Sequence, residues 1–211
     1  MALELYAHPF SSYCQKVLIP LYENATPFAS RMLDPGQSGD FSAEFARRWP
    51  LRKMPVLVDA GHTVVEATVI VEHLDLHHRG RVRMLDRFFD NYVMTPMQKI
   101  VGDAIRKPDT RDPHGVGEAR TLLDNAYRWL EGHLASKEQD GEWGAGAAFG
   151  LADCAAGPAL FYADWAHPIA REHARVRAYR QRLLARPSFA RAVDEARPYR
   201  VHFPLGDPGR D

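Results

Sequence analysis

Met54, Pro55, Val56, Leu57 and Val58 place a proline at the threshold of an apolar run, and no other stretch limits the possible fold as much. Proline donates no backbone hydrogen bond, so it enters a sheet at a strand start or an edge, and cis X-Pro bonds belong mainly to tight turns. A strand is therefore expected to begin at Val56. A cis Met54–Pro55 bond would turn the amide and carbonyl of Met54 outward, where an extended, peptide-like ligand can pair with them. Glu66, Ala67 and Thr68 follow, the first of them eleven residues after the proline. Upstream, Ser11, Ser12, Tyr13 and Cys14 stand between a strand-like and a helix-like apolar segment.

The pattern around these segments predicts a small α/β unit. Leu3 to Tyr6 alternates as a short strand that His8 and Pro9 break, and a helix opens at Ser11 or Ser12 with Val17, Leu18, Leu21 and Tyr22 on one face. Pro20 costs roughly 3 kcal/mol inside a helix, so a kink or early loosening is expected there. Residues 28–33 read as a second strand, and Ser42 to Trp49 as a short helix capped by Ser42. Val56 to Val58 and His62 to Val65 read as two strands turned by Gly61, and Ala67 to His77 as a third helix. The short turn demands antiparallel pairing of the last two strands. After a polar linker, His77 to Arg83, the chain turns helical over Met84–Lys107, Gly117–Ala135, Leu151–Trp165, Ile169–Ala185 and Ser188–Ala196. The organisation is a β-α-β-α-β-β-α domain over 1–77, which resembles the thioredoxin fold, and an all-helical domain over 84–211.

With 211 residues, either domain is long enough to bury a core. Lys plus Arg and Asp plus Glu balance at 27 each, which supplies no field for nucleic acid or an anionic membrane. Cys14 and Cys154 match no disulfide framework or zinc spacing, in keeping with a reducing cytoplasm. There is no long apolar stretch to cross a membrane and no basic, then apolar leader. His73 and His77 have the i, i+4 spacing of a zinc pair, but a histidine at a helix C-terminus already has a dipole rationale, so no metal site is expected.

The S-x-x-C corner at Ser11–Cys14, a variant of the C-x-x-C corner of thioredoxin folds, together with Met54–Pro55, Glu66 and the order of domains, resembles the cytosolic glutathione transferases. The match is best to serine-type, theta-like and zeta-like bacterial members. Phe149, Gly150, Leu151, Ala152 and Asp153 resemble the family's helix-capping motif, with Gly150 standing where the family has Ser or Thr. A glycine cap costs only a few tenths of a kcal/mol relative to Ser or Thr. The resemblance implies glutathione as cosubstrate, a small apolar electrophile, and a homodimer active in detoxification.

It also implies roles for particular residues. Ser11 takes the place of the thiol-activating residue. A free thiol titrates near 8.5 and only its thiolate is a strong nucleophile, so a hydroxyl donor at the positive end of a helix favours the reactive form. Ser11 is equally suited to a plain helix cap, Ser12 and Tyr13 compete for the role, and Tyr6 resembles the activating tyrosine of other classes. Cys14 is expected to point into the core. Lys53, or Arg52, resembles the base that meets the glycine carboxylate of glutathione, and Met54 with Pro55 forms the edge along which the tripeptide lies. Glu66 matches the acidic half of a Glu-Ser pair at the γ-glutamyl end. Its partner here is Ala67, whose amide remains but whose hydroxyl is missing unless Thr68 supplies one. Tyr92, Met94, Met97 and Trp165 lie on helices that wall the electrophile site in this family, though each is also ordinary helix packing. Rival readings are a non-catalytic ligand- or protein-binding protein, a glutathione-dependent isomerase, dehalogenase or peroxidase, and an enzyme using another thiol.

Overall fold

A computed structural model of the chain describes residues 3–33, 40–74, 80–136 and 142–211, with the side chains of 40–42 and 80–81 excepted. The chain divides into two compact units, Met1–His77 with Pro187–Arg197, and His78–Arg186 with Pro198–Asp211. The first carries β1 (Leu3–Ala7), α1 (Ser12–Glu23), β2 (Phe28–Met32), α2 (Asp40–Arg48), β3 (Val56–Asp59), β4 (His62–Val65), α3 (Ala67–His73) and, from late in the chain, α9 (Pro187–Ala196).

Its four strands are ordered β2-β1-β3-β4. β1 and β2 run parallel, which requires a long crossover, and α1 provides it. β3 and β4 are antiparallel across a two-residue turn. Ala60 (φ 48°) and Gly61 (φ 89°) both take the positive φ that a tight type I′ hairpin needs. Side chains alternate across the sheet. Tyr6, Val56 and Val58 form one buried cluster with Leu33 and Phe45 of the α2 side, against which Trp49, Met54 and Val65 pack. The paired Leu5 and Leu57 point to the other face, and both are buried.

Several boundaries differ from expectation. α1 does not loosen at Pro20 but continues to Glu23. Pro20 lacks the N–H that would bond the Lys16 carbonyl, yet the Asn24 amide donates to Pro20 O at 3.0 Å and closes the helix. α2 starts at Asp40, so Ser42 lies within it and not at its cap. α3 ends at His73 and not at His77, and His73 Nε2 meets Asp59 Oδ2 at 2.9 Å. His77 lies outside the described residues.

The second unit holds α4 (Gly80–Phe88), α5 (Thr95–Ala104), α6 (Pro113–Ala135), α7 (Leu151–Ala166) and α8 (Ala174–Leu184). The linker expected through Arg83 is already helical from Gly80. The single helix expected over Met84–Lys107 is interrupted by a wide π-helical segment, Phe89–Met94, and stops at Ala104. Pro96 has no N–H to continue the ladder there, and the Thr95 hydroxyl donates to the Asp90 carbonyl at 2.9 Å. α6 begins four residues early because Asp112 caps it, accepting from Gly115 N at 2.8 Å, with Pro113 in the first turn. α8 begins at Ala174, five residues later than expected. The Glu131 carboxylate of α6 caps it by accepting from the amides of Arg175 and Val176, each with a 3.0 Å contact. Burial works to raise the pKa of Glu131, but these bonds outweigh it and hold the carboxyl below its ordinary value.

α7 is buried along its whole length from Leu151 to Trp165, as a helix apolar on every side must be. Asp153 anchors its start. One carboxylate oxygen accepts from Gly150 N (2.9 Å), the other from Gly144 N (2.9 Å) and the Tyr179 hydroxyl (2.5 Å). Gly150 thus keeps the half of the capping motif that runs from side chain to backbone.

Candidate functional site

Strand register decides which loops can meet. Tyr6 pairs with Val56, and Val56 with Val65, so the end of β1, the start of β3 and the end of β4 share one row of the sheet. With neighbouring strands about 4.8 Å apart, the three segments leaving that row are within roughly 10 Å of one another. They are 8–11, 53–55 and 66–68. Ser11, Met54–Pro55 and Glu66–Thr68 therefore emerge at the same end of the sheet, where α1 and α3 both begin.

Ser11 is the cap of α1, extended at φ −92° and ψ 122°. Its Oγ accepts from Cys14 N at a long 3.4 Å, and a hydroxyl that accepts keeps its proton to donate. Ser12 stands in the first turn and is buried. Cys14 is fully buried, and desolvation pushes its thiol up to about 11 against weaker opposing bonds from Ser11 and His8. A thiol so held is protonated and unreactive. Tyr6 has no exposed surface. Its hydroxyl donates to Glu44 Oε1 at 2.8 Å and accepts from Arg48 Nε at 3.1 Å. Burial first, then the Glu44 bond, raises its pKa. The Tyr6 hydroxyl is thus tied to two side chains of α2.

The Met54–Pro55 peptide is cis. Lys53 is exposed, as is Arg52, Met54 is half-buried and Pro55 buried. Glu66 sits at φ 70° and ψ 117° with no hydrogen bond from its side chain to its own helix start. A non-glycine residue in that region costs of order 1–3 kcal/mol and persists where its surroundings over-determine it, commonly at ligand sites. The exposed carboxylate of Glu66 is available to a cation. Ala67 beside it is buried, and the Thr68 hydroxyl oxygen accepts from Lys16 Nζ at 2.9 Å. The corner thus combines a hydroxyl at a helix start, an exposed carboxylate, flanking cations and the half-buried Met54 at the cis bond that leads into β3. Such a set suits an extended thiol with an ammonium and carboxylates.

Among the second-unit candidates, Met94, Met97 and Trp165 are core residues, and only Tyr92 is substantially exposed. A hollow of about 630 Å³ beside α1 and β2 is lined by Tyr22, Phe28, Arg191 and Glu195. Its polar groups already satisfy one another. The Tyr22 hydroxyl donates to Glu195 (2.6 Å), and Arg191 pairs with Glu195 (3.0 Å) and lies over the Tyr22 ring (4.0 Å). Sequence reading did not single out Lys16, Glu44 or Arg48. The one available signal was Lys16, a charge four residues from Ser12 amid an apolar stretch.

Two domain models match the chain, that of the glutathione S-transferase N-terminal domain over residues 5–81 and that of the C-terminal domain over 103–182. Human glutathione S-transferase theta-1 is 36% identical over 74 residues, 35% of this chain and 31% of that protein. Glutathione S-transferase TCHQD of Arabidopsis thaliana is 28% identical over 98 residues, 46% and 37% of the two. The matched part thus spans about a third of these curated relatives' length. A Methylobacterium radiotolerans glutathione S-transferase, solved in complex with glutathione sulfonate, superposes with a TM-score of 0.75 at 25% identity, covering 92% of this chain and 95% of the other. With both family domains matched in order, the chain belongs to the glutathione S-transferase family.

Proposed function

We propose that the protein is a glutathione-dependent transferase that joins the glutathione sulfur to a small apolar electrophile. The observation that most supports this is the register that brings Ser11, Met54–Pro55 and Glu66–Thr68 to one end of the sheet. Glutathione lies extended along the Met54 edge, its glycine carboxylate toward Lys53 or Arg52 and its γ-glutamyl ammonium toward Glu66. The sulfur rests at Ser11, whose hydroxyl donates to the thiolate at the positive end of α1. The thiol proton passes to solvent, and the thiolate forms a carbon–sulfur bond as a halide leaves or an epoxide opens. Fixed placement and thiolate stabilisation supply the rate. In this reading residues 1–77 bind glutathione and 84–211 form the helical domain.

A homodimer is part of the same proposal, supported by the exposed Met84, Tyr92, Leu122 and Trp129 around an apolar hollow of the second unit. The setting is cytoplasmic, in keeping with two buried free cysteines. Among the described residues no helix is long and apolar enough to cross a membrane.

The test is glutathione conjugation with a panel of reactive aryl halides and epoxides, with product analysis and light scattering on the same sample. Thioether product is expected. Tight glutathione binding without any product would favour the non-catalytic reading, and altered substrate without a thioether would favour an isomerase or peroxidase. Absence of glutathione binding would refute the proposal and point to another thiol, for which Ala67 is the motivation.

A further inference from the structure

The residues that lead into Ser11 form a tight turn. Ser11 N donates to the His8 carbonyl at 3.0 Å, with Pro9 and Phe10 between them, and Pro9 suits the second place because its ring fixes φ. Both halves of the central peptide are held by side chains. The Phe10 amide donates to His8 Nδ1 at 3.1 Å, and the Pro9 carbonyl accepts from Gln15 Nε2 at 3.0 Å. The C=O and N–H of a trans peptide point in opposite directions, so this plane is gripped from both sides. Gln15 has no exposed surface, and its own amide donates to the Ser11 carbonyl at 2.9 Å. The orientation of the central peptide is what separates a type I from a type II turn. Type II needs a positive φ at Phe10, which Phe10 does not have.

We infer that His8 and Gln15 are positioning residues for Ser11, fixing the Pro9–Phe10 peptide and through it the aim of the Ser11 hydroxyl. The inference rests on the glutathione reading above and adds these two residues to it. Ser11 is held at its amide by the turn and at its carbonyl by Gln15, while the bond from Cys14 N to its Oγ is a long 3.4 Å. The backbone on either side therefore does most to direct the hydroxyl. A donor aimed at a thiolate acts through placement, and an error of about 1 Å can cost about 10² in rate. His8 serves as an acceptor two residues before Phe10, with the ring proton on Nε2. Asn can fill that place, since its side chain bonds the amide two residues on.

The experiment is steady-state conjugation of glutathione to a reactive aryl halide by the intact protein, with glutathione calorimetry and melting curves on the same samples. Wild type is compared with His8→Ala, His8→Asn, Gln15→Met, Ser11→Ala and Ser11→Ala/His8→Ala. His8→Ala and Gln15→Met are each expected to lower kcat roughly tenfold, with glutathione affinity within about threefold of wild type. His8→Asn keeps most of the wild-type kcat, because its Oδ1 accepts from Phe10 in place of Nδ1. Ser11→Ala/His8→Ala is no slower than Ser11→Ala, since the hydroxyl that His8 aims is already gone. Should Gln15→Met fold poorly, the His8 variants still decide. An unchanged kcat in His8→Ala, or His8→Asn as slow as His8→Ala, overturns the inference while leaving the glutathione reading intact. So does a full further loss from His8→Ala in the Ser11→Ala background, or a fall in kcat that the unfolded fraction accounts for. Wild type that forms no conjugate removes the reading and the inference together.

Discussion

Ser11→Ala separates the two things a serine at a helix start can do. As a cap, Ser11 accepts one bond, from Cys14 N at 3.4 Å. That length is beyond the usual range, so the cap is worth the low end of the common scale, about 0.5–1 kcal/mol. For a chain of this size such a loss lowers Tm by roughly 1–4 °C. As a donor to a developing thiolate it is worth far more, roughly 10² in rate by comparison with oxyanion donors, or about 2.7 kcal/mol. The variant is therefore expected to fold and melt almost normally, bind glutathione within a few-fold of wild type, and conjugate about a hundredfold more slowly at saturating glutathione. The bound thiol's titration, followed by thiolate absorbance, moves up toward that of free glutathione. Calorimetry, steady-state kinetics and the titration together make the check. Turnover within twofold of wild type would refute the assignment, all the more if Ser12→Ala then abolished it. A melting point lower by ten degrees would show that the cap estimate is wrong and that the rate loss reflects damage to the fold.

Asp153→Ala strips three donors, Gly144 N, Gly150 N and the Tyr179 hydroxyl, of a buried acceptor. It is expected to cost about 3–5 kcal/mol in urea unfolding, and a cost under 1 kcal/mol would show that the loop repacks freely. Tyr6→Phe leaves the Arg48–Glu44 pair at 2.9 Å in place. It is expected to cost about 1 kcal/mol while conjugation persists, and loss of activity without loss of fold would return Tyr6 to the candidates. Stability should also fall in alkali. The folded Cys14 pKa is raised to about 11 by burial, so its contribution is complete below the unfolded value near 8.5 and is lost as pH rises from there to about 11. Tyr127 and Tyr179, both raised chiefly by burial, add to the decline above pH 10, each by about 1.4 kcal/mol per pH unit. Stability measured by urea titration from pH 8 to 11 should drop less steeply in Cys14→Ala, and an unchanged slope would contradict the buried thiol.

The order of elements in the first unit was readable because each rests on local rules. Pro55 bars a ladder bond at the entry to β3, Gly61 tolerates the turn, and apolar residues recur at periods of two or 3.6. The same rules found α7, and the family's capping motif pointed to its Asp153 anchor. They misplaced boundaries where a distant group terminates or caps a helix. Glu131 fixes the start of α8 from 43 residues earlier in the chain (174 minus 131), and no window around Ile169 contains it.

For the candidate corner, residue types together with the family resemblance supplied Ser11, Met54, Pro55, Glu66 and the anomaly at Ala67. They left Ser11, Ser12 and Tyr6 as competitors, since all three are hydroxyls near the end of one strand. Tertiary structure engaged Tyr6 with Glu44 and Arg48, 38 and 42 residues away, and joined Lys16 to Thr68 across 52 residues. It likewise placed α9 with α1 in the first unit, although α9 follows the whole helical segment. Propensity, turn geometry and capping by an adjacent side chain act between neighbours in the chain and can be read from it. The partner of a buried hydroxyl or ammonium is whichever group the packed elements bring within 3 Å, and strand register and helix docking alone decide that.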